Sequence, residues 1–210
     1  MLTFPRLAAR KLAAYGARIF AFRLVVGLVV AAIGIELLVP TPPFAVGYRA
    51  LHICGVLLIV IGLTVRAWGA ASAGSHTRSA SIEAPQLVTD GAFAYVRNPI
   101  YAGSILLGIG MSCLIGDPLA FILTAATFVL LYFGIIPAEE KFLQNEFGTQ
   151  YDAYCAAVPR LIPRLRPWTQ GGGRAFRWRA ARGELFIAAI LVSIYAALWF
   201  EEYLDQIGWS

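Results

Sequence analysis

The sequence predicts an all-α integral membrane protein, a bundle of five transmembrane helices with a cytosolic capping helix. The first indication is composition: 59% of the residues are hydrophobic and 14% are charged, whereas soluble domains are nearer half apolar and a quarter charged. The second is the clustering of the hydrophobic residues, because several apolar runs have the length with which a helix crosses a bilayer, about 17–25 residues. The third is the placement of basic residues between these runs.

Turn residues set the boundaries of the five predicted spans. The spans cover residues 22–39, 48–68, 100–115, 119–136 and 185–200. Proline ends the first run at Pro40 and the fourth at Pro137, since proline disrupts a regular helix. Only Gly116-Asp117-Pro118 separates the third run from the fourth, which predicts a tight antiparallel helical hairpin. A further helix over 138–156 is predicted to cap the bundle in the cytosol.

The positions of lysine and arginine predict the orientation. With the N-terminus in the cytoplasm, all but one of the 17 Lys and Arg residues fall in or beside cytosolic segments, and only Arg49 lies outside. This asymmetry follows the positive-inside rule. We therefore expect a multi-pass protein with its active site facing the cytoplasm, in the inner membrane of a prokaryote or the endoplasmic reticulum of a eukaryote. Topology accounts for the net charge of +5, so nucleic acid is not an expected partner.

Two basic segments each allow two interpretations. Residues 3–21 are predicted to form a helix with an apolar stripe and a basic side, which suits the membrane interface or packing on the bundle. Residues 171–184 alternate arginine with aromatic residues, and they either bind anionic headgroups or act only as a topology anchor.

Metal and disulfide chemistry are not indicated. The cysteines Cys54, Cys113 and Cys155 are widely spaced, and no residue set has the spacing of metal ligands. His52, at the start of the second predicted span, is interpreted as an interfacial residue rather than a ligand. His76, in a Gly/Ser-rich cytosolic loop, is within reach of a site at that face.

Polar residues concentrate at the start of the third span. Tyr95, Arg97, Asn98 and Tyr101 surround Pro99. Pro99 is predicted in the first helical turn, where its missing N–H costs nothing, with Asn98 as the cap. These residues suit either a binding site or an interfacial belt with an ordinary helix cap.

Two adjacent acids follow the fourth span. Glu139 and Glu140 suit the first turn of a solvated helix, because carboxylates are favourable at helix N-termini. Alternatively they are functional. The hairpin returns them to the membrane face that carries Asn98 and Tyr101, so the two polar stretches are expected to meet. Together they could bind a polar, partly cationic cofactor beside an opening to lipid.

The order of these motifs resembles the isoprenylcysteine carboxyl methyltransferase and phospholipid methyltransferase superfamily over roughly residues 87–164. After Gly91 the chain reads Arg97-Asn98-Pro99-Ile100-Tyr101-Ala102-Gly103, Glu139-Glu140 with Leu143, Phe147-Gly148-Thr149-Gln150-Tyr151-Asp152-Ala153-Tyr154, and Val158-Pro159-Arg160-Leu161-Ile162-Pro163. Each motif is weak alone, whereas all of them in order and on one side of the membrane form a specific pattern.

The resemblance implies a methyltransferase that uses S-adenosylmethionine and releases S-adenosylhomocysteine. It places the cofactor among Tyr95, Arg97, Asn98, Pro99, Tyr101, Glu139 and Glu140. No catalytic residue is assigned, and Arg97 and Glu139 are the candidates. The chain is then a single membrane domain over 1–210: an interfacial helix and two spans over 1–86, a methyltransferase-like region over 87–166, and a basic linker with the fifth span over 167–210.

The resemblance also implies a lipophilic acceptor, either a phospholipid-like amine or an isoprenylcysteine-like carboxylate. Asn98 replaces the family's usual histidine and cannot titrate near neutral pH. Similar phosphatidylethanolamine methyltransferases also have asparagine there, and residues 132–137 lack the basic residues that suit a prenylcysteine carboxylate. Both points favour the lipid-like acceptor. The alternatives are a nicotinamide-dependent membrane reductase of the sterol-reductase type and a non-enzymatic membrane scaffold.

Overall fold

The regular structure is helical throughout the part of the chain that the computed structural model describes, residues 47–73, 87–168 and 178–208. Within these ranges there is no strand, which confirms the predicted all-α class there. The predicted interfacial helix over 3–21, the first span over 22–39 and His76 lie outside the described residues.

Six α-helices and two short segments of other helix types make up the described chain. They are α1 (Arg49–Ala73), a 3₁₀ turn (Gly91–Ala94), α2 (Pro99–Ile115), α3 (Pro118–Leu130), a π-helical segment (Leu131–Ile135), α4 (Ile136–Phe147), α5 (Thr149–Ala157) and α6 (Trp178–Gln206).

The lengths of the apolar helices fit insertion into a bilayer. Helix α1 has 25 residues, and the continuous helix Pro118–Phe147 has 30. Both are long and apolar enough to cross a hydrocarbon core of about 30 Å. Helix α2 is apolar but shorter, with 17 residues, and α6 contains the predicted fifth apolar run. The number of five spans stays a prediction.

The predicted hairpin between the third and fourth apolar runs is confirmed as a turn between α2 and α3. Gly116 ends α2 in the left-handed conformation, with φ of 74°, which glycine adopts without steric cost. The Asp117 side chain then accepts the backbone N–H of Leu119 at 2.7 Å and caps α3. The Ser112 hydroxyl lies 2.8 Å from that of Thr124, so the two helices run back along one another.

Helices α1 and α2 approach each other through glycine. A Cβ on Gly62 would lie 2.7 Å from the Gly103 carbonyl oxygen, and a Cβ on Gly55 would lie 2.8 Å from that of Gly110. Such contacts are closer than side chains allow, so these positions set the distance between the helices. These glycine contacts form a seam between the two helices. The seam fixes the position of the first turn of α2, and with it Tyr101, along the axis of α1.

Two predicted boundaries are wrong. Pro137 does not end the fourth helix, which continues to Phe147, because a π turn precedes the proline. There the Ile136 N–H donates to the Leu131 carbonyl five residues back. With this wider turn before it, Pro137 is accommodated in the helix although it has no N–H to donate. The capping helix predicted over 138–156 is divided at Gly148, whose φ of 50° separates α4 from α5.

Helix α1 also extends beyond the predicted end of the second span at residue 68, as far as Ala73, and Arg66 lies within it. The Arg66 Nε donates to the Glu184 carboxylate at 2.7 Å, and its Nη1 donates to the Ser104 hydroxyl. The side chains of Arg66 and Glu184 are only 15% and 6% exposed. This ion pair links α1 and α6 beside the first turns of α2.

Candidate functional site

The two polar stretches meet at the open end of the hairpin. The Tyr101 hydroxyl donates to Oε1 of Glu139 at 2.9 Å, and Arg97 forms an ion pair with Glu140 at 3.1 Å. These contacts join residues 38 to 43 positions apart in sequence. The predicted convergence is therefore present in the structure.

Glu140 is the centre of a charged network. Arg97 donates through Nε to its Oε1 at 3.2 Å. Arg160 donates through Nη2 to Oε2 at 2.5 Å and through Nε to Oε1 at 3.1 Å. The Glu140 side chain is 13% exposed, so two guanidinium groups compensate one partly buried carboxylate.

Arg97 also supports the chain that follows α5. Its Nη1 donates to the carbonyls of Cys155 at 2.8 Å and Val158 at 3.2 Å, and its backbone N–H donates to the Pro159 carbonyl at 2.9 Å. One arginine therefore connects the approach to α2, the start of α4 and the end of α5. Arg97 is a structural centre of the site, whatever else it binds.

Arg160 belongs to this network, although the sequence analysis did not select it as a site residue. Its hydrogen bond to Glu140 raises its pKa above the usual value for arginine. The guanidinium carbon lies 5.2 Å from the ring centroid of Tyr132, a distance at which a cation is attracted to the ring. The fold therefore supplies a cation beside residues 132–137, which have none of their own. This finding removes one of the two arguments for a lipid-like acceptor.

Asn98 occupies the predicted cap position before α2 but does not cap the helix with its side chain. Its Nδ2 instead donates to the Arg160 carbonyl at 3.2 Å. The prediction of its place is right and that of its bond is wrong, since the side-chain amide is oriented by its Nδ2 donation to Arg160 and its oxygen accepts no helix N–H. Asn98 thereby holds the backbone of Arg160 against the start of α2.

Tyr95 and Pro99 pack on α1. The Tyr95 ring lies against that of Trp68, with centroids 5.5 Å apart, and the fully buried Pro99 lies beside Gly69. These contacts fix the approach to α2, and a role of either residue toward a cofactor stays a prediction.

A cluster of aromatic residues, centred on α5, supports the chain that leads into α2. Tyr151 and Tyr154 of α5 are buried with Leu87 and Val158, and the Tyr154 hydroxyl donates to the Phe93 carbonyl at 2.8 Å. Burial raises the pKa of both phenols above the ordinary value for tyrosine. Both therefore stay neutral near physiological pH and serve as packing groups rather than bases.

The two acids consequently have different surroundings. Glu140 is held by two arginines, whereas Glu139 accepts from the neutral Tyr101 hydroxyl. A carboxylate can attract a cation or accept from a hydroxyl. His52, in contrast, is buried in the first turn of α1 and stacks on Tyr48, so its ring partner is not one of the site residues. Among the described residues, no group of three or more His, Cys, Asp or Glu side chains is placed to hold a metal ion.

Comparison with known proteins gives the same family as the sequence motifs. Residues 50–150 match the family model described as phospholipid methyltransferase. The chain is 31% identical over 113 residues to protein-S-isoprenylcysteine O-methyltransferase B of Arabidopsis thaliana, covering 52% of this chain and 57% of that protein. It is 36% identical over 77 residues to the enzyme of Schizosaccharomyces pombe, covering 37% and 33%. The match to the human enzyme is 28% identical over 120 residues, covering 55% and 42%.

The family match and these relatives support the isoprenylcysteine carboxyl methyltransferase and phospholipid methyltransferase superfamily as the one this chain resembles. The matched segments span less than two thirds of each of these relatives. No solved structure matches the chain at a significant level. The family match ends within α5, so α6 lies outside the matched residues.

Proposed function

We propose that the chain is an integral membrane methyltransferase, which transfers the methyl group of S-adenosylmethionine to a lipophilic acceptor and leaves S-adenosylhomocysteine. The main supporting observation is that Arg97 contacts Glu140 and Tyr101 contacts Glu139 at the open end of a helical hairpin. Asn98 lies between them in sequence and bonds to the backbone of Arg160, which also pairs with Glu140. The family match over residues 50–150 and the O-methyltransferase names of the relatives support the same activity.

The residues of the site fit the cofactor in their chemistry. S-adenosylmethionine carries an ammonium, a sulfonium and ribose hydroxyls, for which a carboxylate is a suitable partner. Glu139, positioned by the Tyr101 hydroxyl at 2.9 Å, is the proposed partner for these groups. Glu140 is proposed to shape the site by holding Arg97 and Arg160, rather than to contact the cofactor itself. Tyr95 and Pro99 are proposed to support the site through their contacts with α1.

The cofactor supplies the reactive group, because its sulfonium is already an activated methyl donor. The protein has to hold donor and acceptor in line and exclude water. A carboxylate or thiolate acceptor needs no base, whereas an ammonium must first lose a proton. Arg97 is engaged by Glu140 and by two backbone carbonyls, so we assign it positioning of the site rather than proton transfer.

The acceptor is proposed to be lipophilic, with either a phospholipid-like amine or an isoprenylcysteine-like carboxylate as the methylated group. Asn98 in place of histidine supports the first, as does the description of the matching family. The names of the relatives support the second. Arg160, over the Tyr132 ring, provides a cation suited to an acidic acceptor.

The proposal includes five spans with the site at the cytosolic face. The described helices α1, α2, Pro118–Phe147 and α6 account for four of them, and the apolar run over 22–39 accounts for the remaining one. The distribution of arginine and lysine supports a cytosolic N-terminus. Methyl transfer would then occur where a soluble cofactor and a membrane-bound acceptor can meet.

The direct test is to incubate the purified protein with methyl-labelled S-adenosylmethionine and a total lipid extract, and in parallel with a prenylcysteine analogue. Label in the lipid fraction would establish the amine acceptor, and label in the analogue would establish the carboxylate acceptor. A second incubation with reduced nicotinamide cofactor tests the reductase alternative. Binding of that cofactor without any methyl transfer would overturn the proposal, and absence of binding by either cofactor would favour a scaffold.

A further inference from the structure

The irregular segment that follows α5, residues 160–168, exposes two large apolar side chains. Ile162 is 81% exposed and Leu165 is 98% exposed. Exposed apolar residues on α1 or α3 are expected if those helices face lipid. This segment is not a helix, so its exposed side chains need a different explanation.

The segment is fixed in place rather than loosely attached. The Arg164 backbone N–H donates to the Tyr95 carbonyl at 3.0 Å, and that of Trp168 donates to the Ala94 carbonyl at 2.9 Å. Its first carbonyl, of Arg160, accepts from Asn98. These bonds hold the segment along the chain that leads into α2.

The contacts of Leu161 locate the segment along the length of the helical hairpin. Leu161 packs on the cluster of Tyr101, Ile135 and Ile136, which lies at the open end of the hairpin. In a membrane this is where the helices leave the hydrocarbon core. Ile162 and Leu165 therefore project from a rigid segment at the height of the lipid headgroups.

The charge of the segment indicates what covers it. Arg160, Arg164 and Arg166 lie within it, and residues 153–168 contain no acidic residue. Arg166 is exposed. Exposed apolar residues alternating with arginine at a membrane boundary suit anionic lipid. The stretches of this chain outside the described residues carry no net negative charge, so they complement the segment less well.

We propose that residues 160–168 form a docking surface for anionic lipid headgroups of the cytosolic leaflet. Ile162 and Leu165 insert at the boundary with the acyl chains, and Arg166 pairs with phosphate groups. The surface lies beside the proposed methyl-transfer site, so it fixes the height of that site relative to the membrane. It does not depend on the reaction catalysed there, and its test needs no activity.

The first test measures immersion with a nitroxide label. Leu165→Cys is labelled in a protein in which Cys54 and Cys155 are alanine and the buried Cys113 is retained, then reconstituted in phosphatidylcholine vesicles. We expect the label to collide with dissolved oxygen and to be protected from a water-soluble nickel chelate. Ile162→Cys gives an independent reading, and Gln150→Cys on the exposed side of α5 is the aqueous control. Access to nickel equal to that of the control, or protection from both reagents, would overturn the proposal.

The second test measures headgroup preference by the association of spin-labelled phosphatidylglycerol relative to phosphatidylcholine. Arg166→Gln should lower this preference by about fivefold or less, because one basic residue near an anionic surface contributes about that factor. Lys141→Gln removes the same charge from an exposed position on α4 and should leave the preference unchanged. Equal losses in both variants, or no preference in the unmodified protein, would mean that the segment does not recognise anionic lipid.

Discussion

At the residue scale, the adjacent acids at the start of α4 have different partners and therefore different expected roles. Glu139 accepts from the Tyr101 hydroxyl, whereas Glu140 pairs with two arginines. The difference follows from the helix, since successive residues point about 100° apart. One side chain faces α2 and the other faces the chain after α5.

Replacing Glu139 tests its proposed contact with the cofactor. Glu139→Gln keeps the shape of the side chain and removes the charge, so we expect the KM for S-adenosylmethionine to rise roughly tenfold or more, as for a lost charged hydrogen bond. Steady-state methyl-transfer kinetics measure this change. Glu146→Gln, at an exposed position of the same helix, is the control. Equal KM values for the two variants would exclude the proposed contact.

Replacing Glu140 should affect the fold more than cofactor binding. Glu140→Gln leaves Arg97 and Arg160 without their shared carboxylate, and removing one partner of a buried ion pair costs about 3 kcal/mol. The side chains of Glu140 and Arg97 are each 13% exposed, so solvent compensates little of this loss. Chemical unfolding in detergent measures the free energy of unfolding. A variant as stable as Glu139→Gln would contradict the assigned structural role.

Sequence reasoning predicts the positions of single residues better than their tertiary bonds. Asn98 was placed correctly before α2, yet its bond to the Arg160 carbonyl depends on a chain segment 62 residues away. Arg160 is part of the sequence motif between Pro159 and Pro163, but its contact with Glu140 forms only in the folded chain. Local rules predict where a cap or a turn lies, and they do not predict which distant backbone group orients the side chain.

At the scale of elements, the glycine seam between α1 and α2 keeps the site at a fixed height. Gly62→Ala would place a Cβ 2.7 Å from the Gly103 carbonyl oxygen and 3.0 Å from the Leu107 nitrogen. Both are backbone atoms, which cannot move aside as the end of a flexible side chain can. We therefore expect a loss of about 1–3 kcal/mol in the free energy of unfolding, as in other overpacked cores. Gly134→Ala, where a Cβ meets nothing within 4 Å, is the control in the same unfolding assay. A neutral Gly62→Ala variant would show that the helices are not held together there.

The ion pair between α1 and α6 gives a second prediction at this scale. Glu184→Gln leaves the Arg66 guanidinium, 15% exposed, with a neutral partner, and should cost about 3 kcal/mol. The double variant Arg66→Met with Glu184→Met should recover most of this loss, because no uncompensated charge remains. Thermal unfolding of the single and double variants distinguishes the outcomes. A double variant less stable than Glu184→Gln would mean that the pair contributes more than charge compensation.

The boundaries of elements show what sequence patterns can predict. The turn Gly116-Asp117-Pro118 was predicted because each residue has a local reason to be there: a left-handed glycine, a side-chain cap and a proline in the first turn. Pro137 was misread because the π turn before it leaves no local signal in the sequence. The break at Gly148 was missed for a related reason, since glycine within a helical pattern is compatible with continuation.

At the scale of the whole molecule, the hairpin brings two distant polar stretches together at its open end, where we propose that a soluble cofactor and a lipophilic acceptor meet. The all-α class and the family followed from composition and motif order. The ion pair between Arg66 and Glu184 did not, since α1 and α6 lie far apart in sequence. Along the sequence, a charged residue that only orients a helix in the membrane looks the same as one that pairs with a distant residue. Only the fold distinguishes the two.

The central claim is that Tyr101, Glu139 and their neighbours form a binding site for the methyl donor. Calorimetric titration of the purified, full-length protein with S-adenosylhomocysteine tests it most directly. We predict saturable binding at one site, weakened by Glu139→Gln and unchanged by Glu146→Gln. Binding that is absent, or that is equally strong in the Glu139→Gln variant, would contradict the claim.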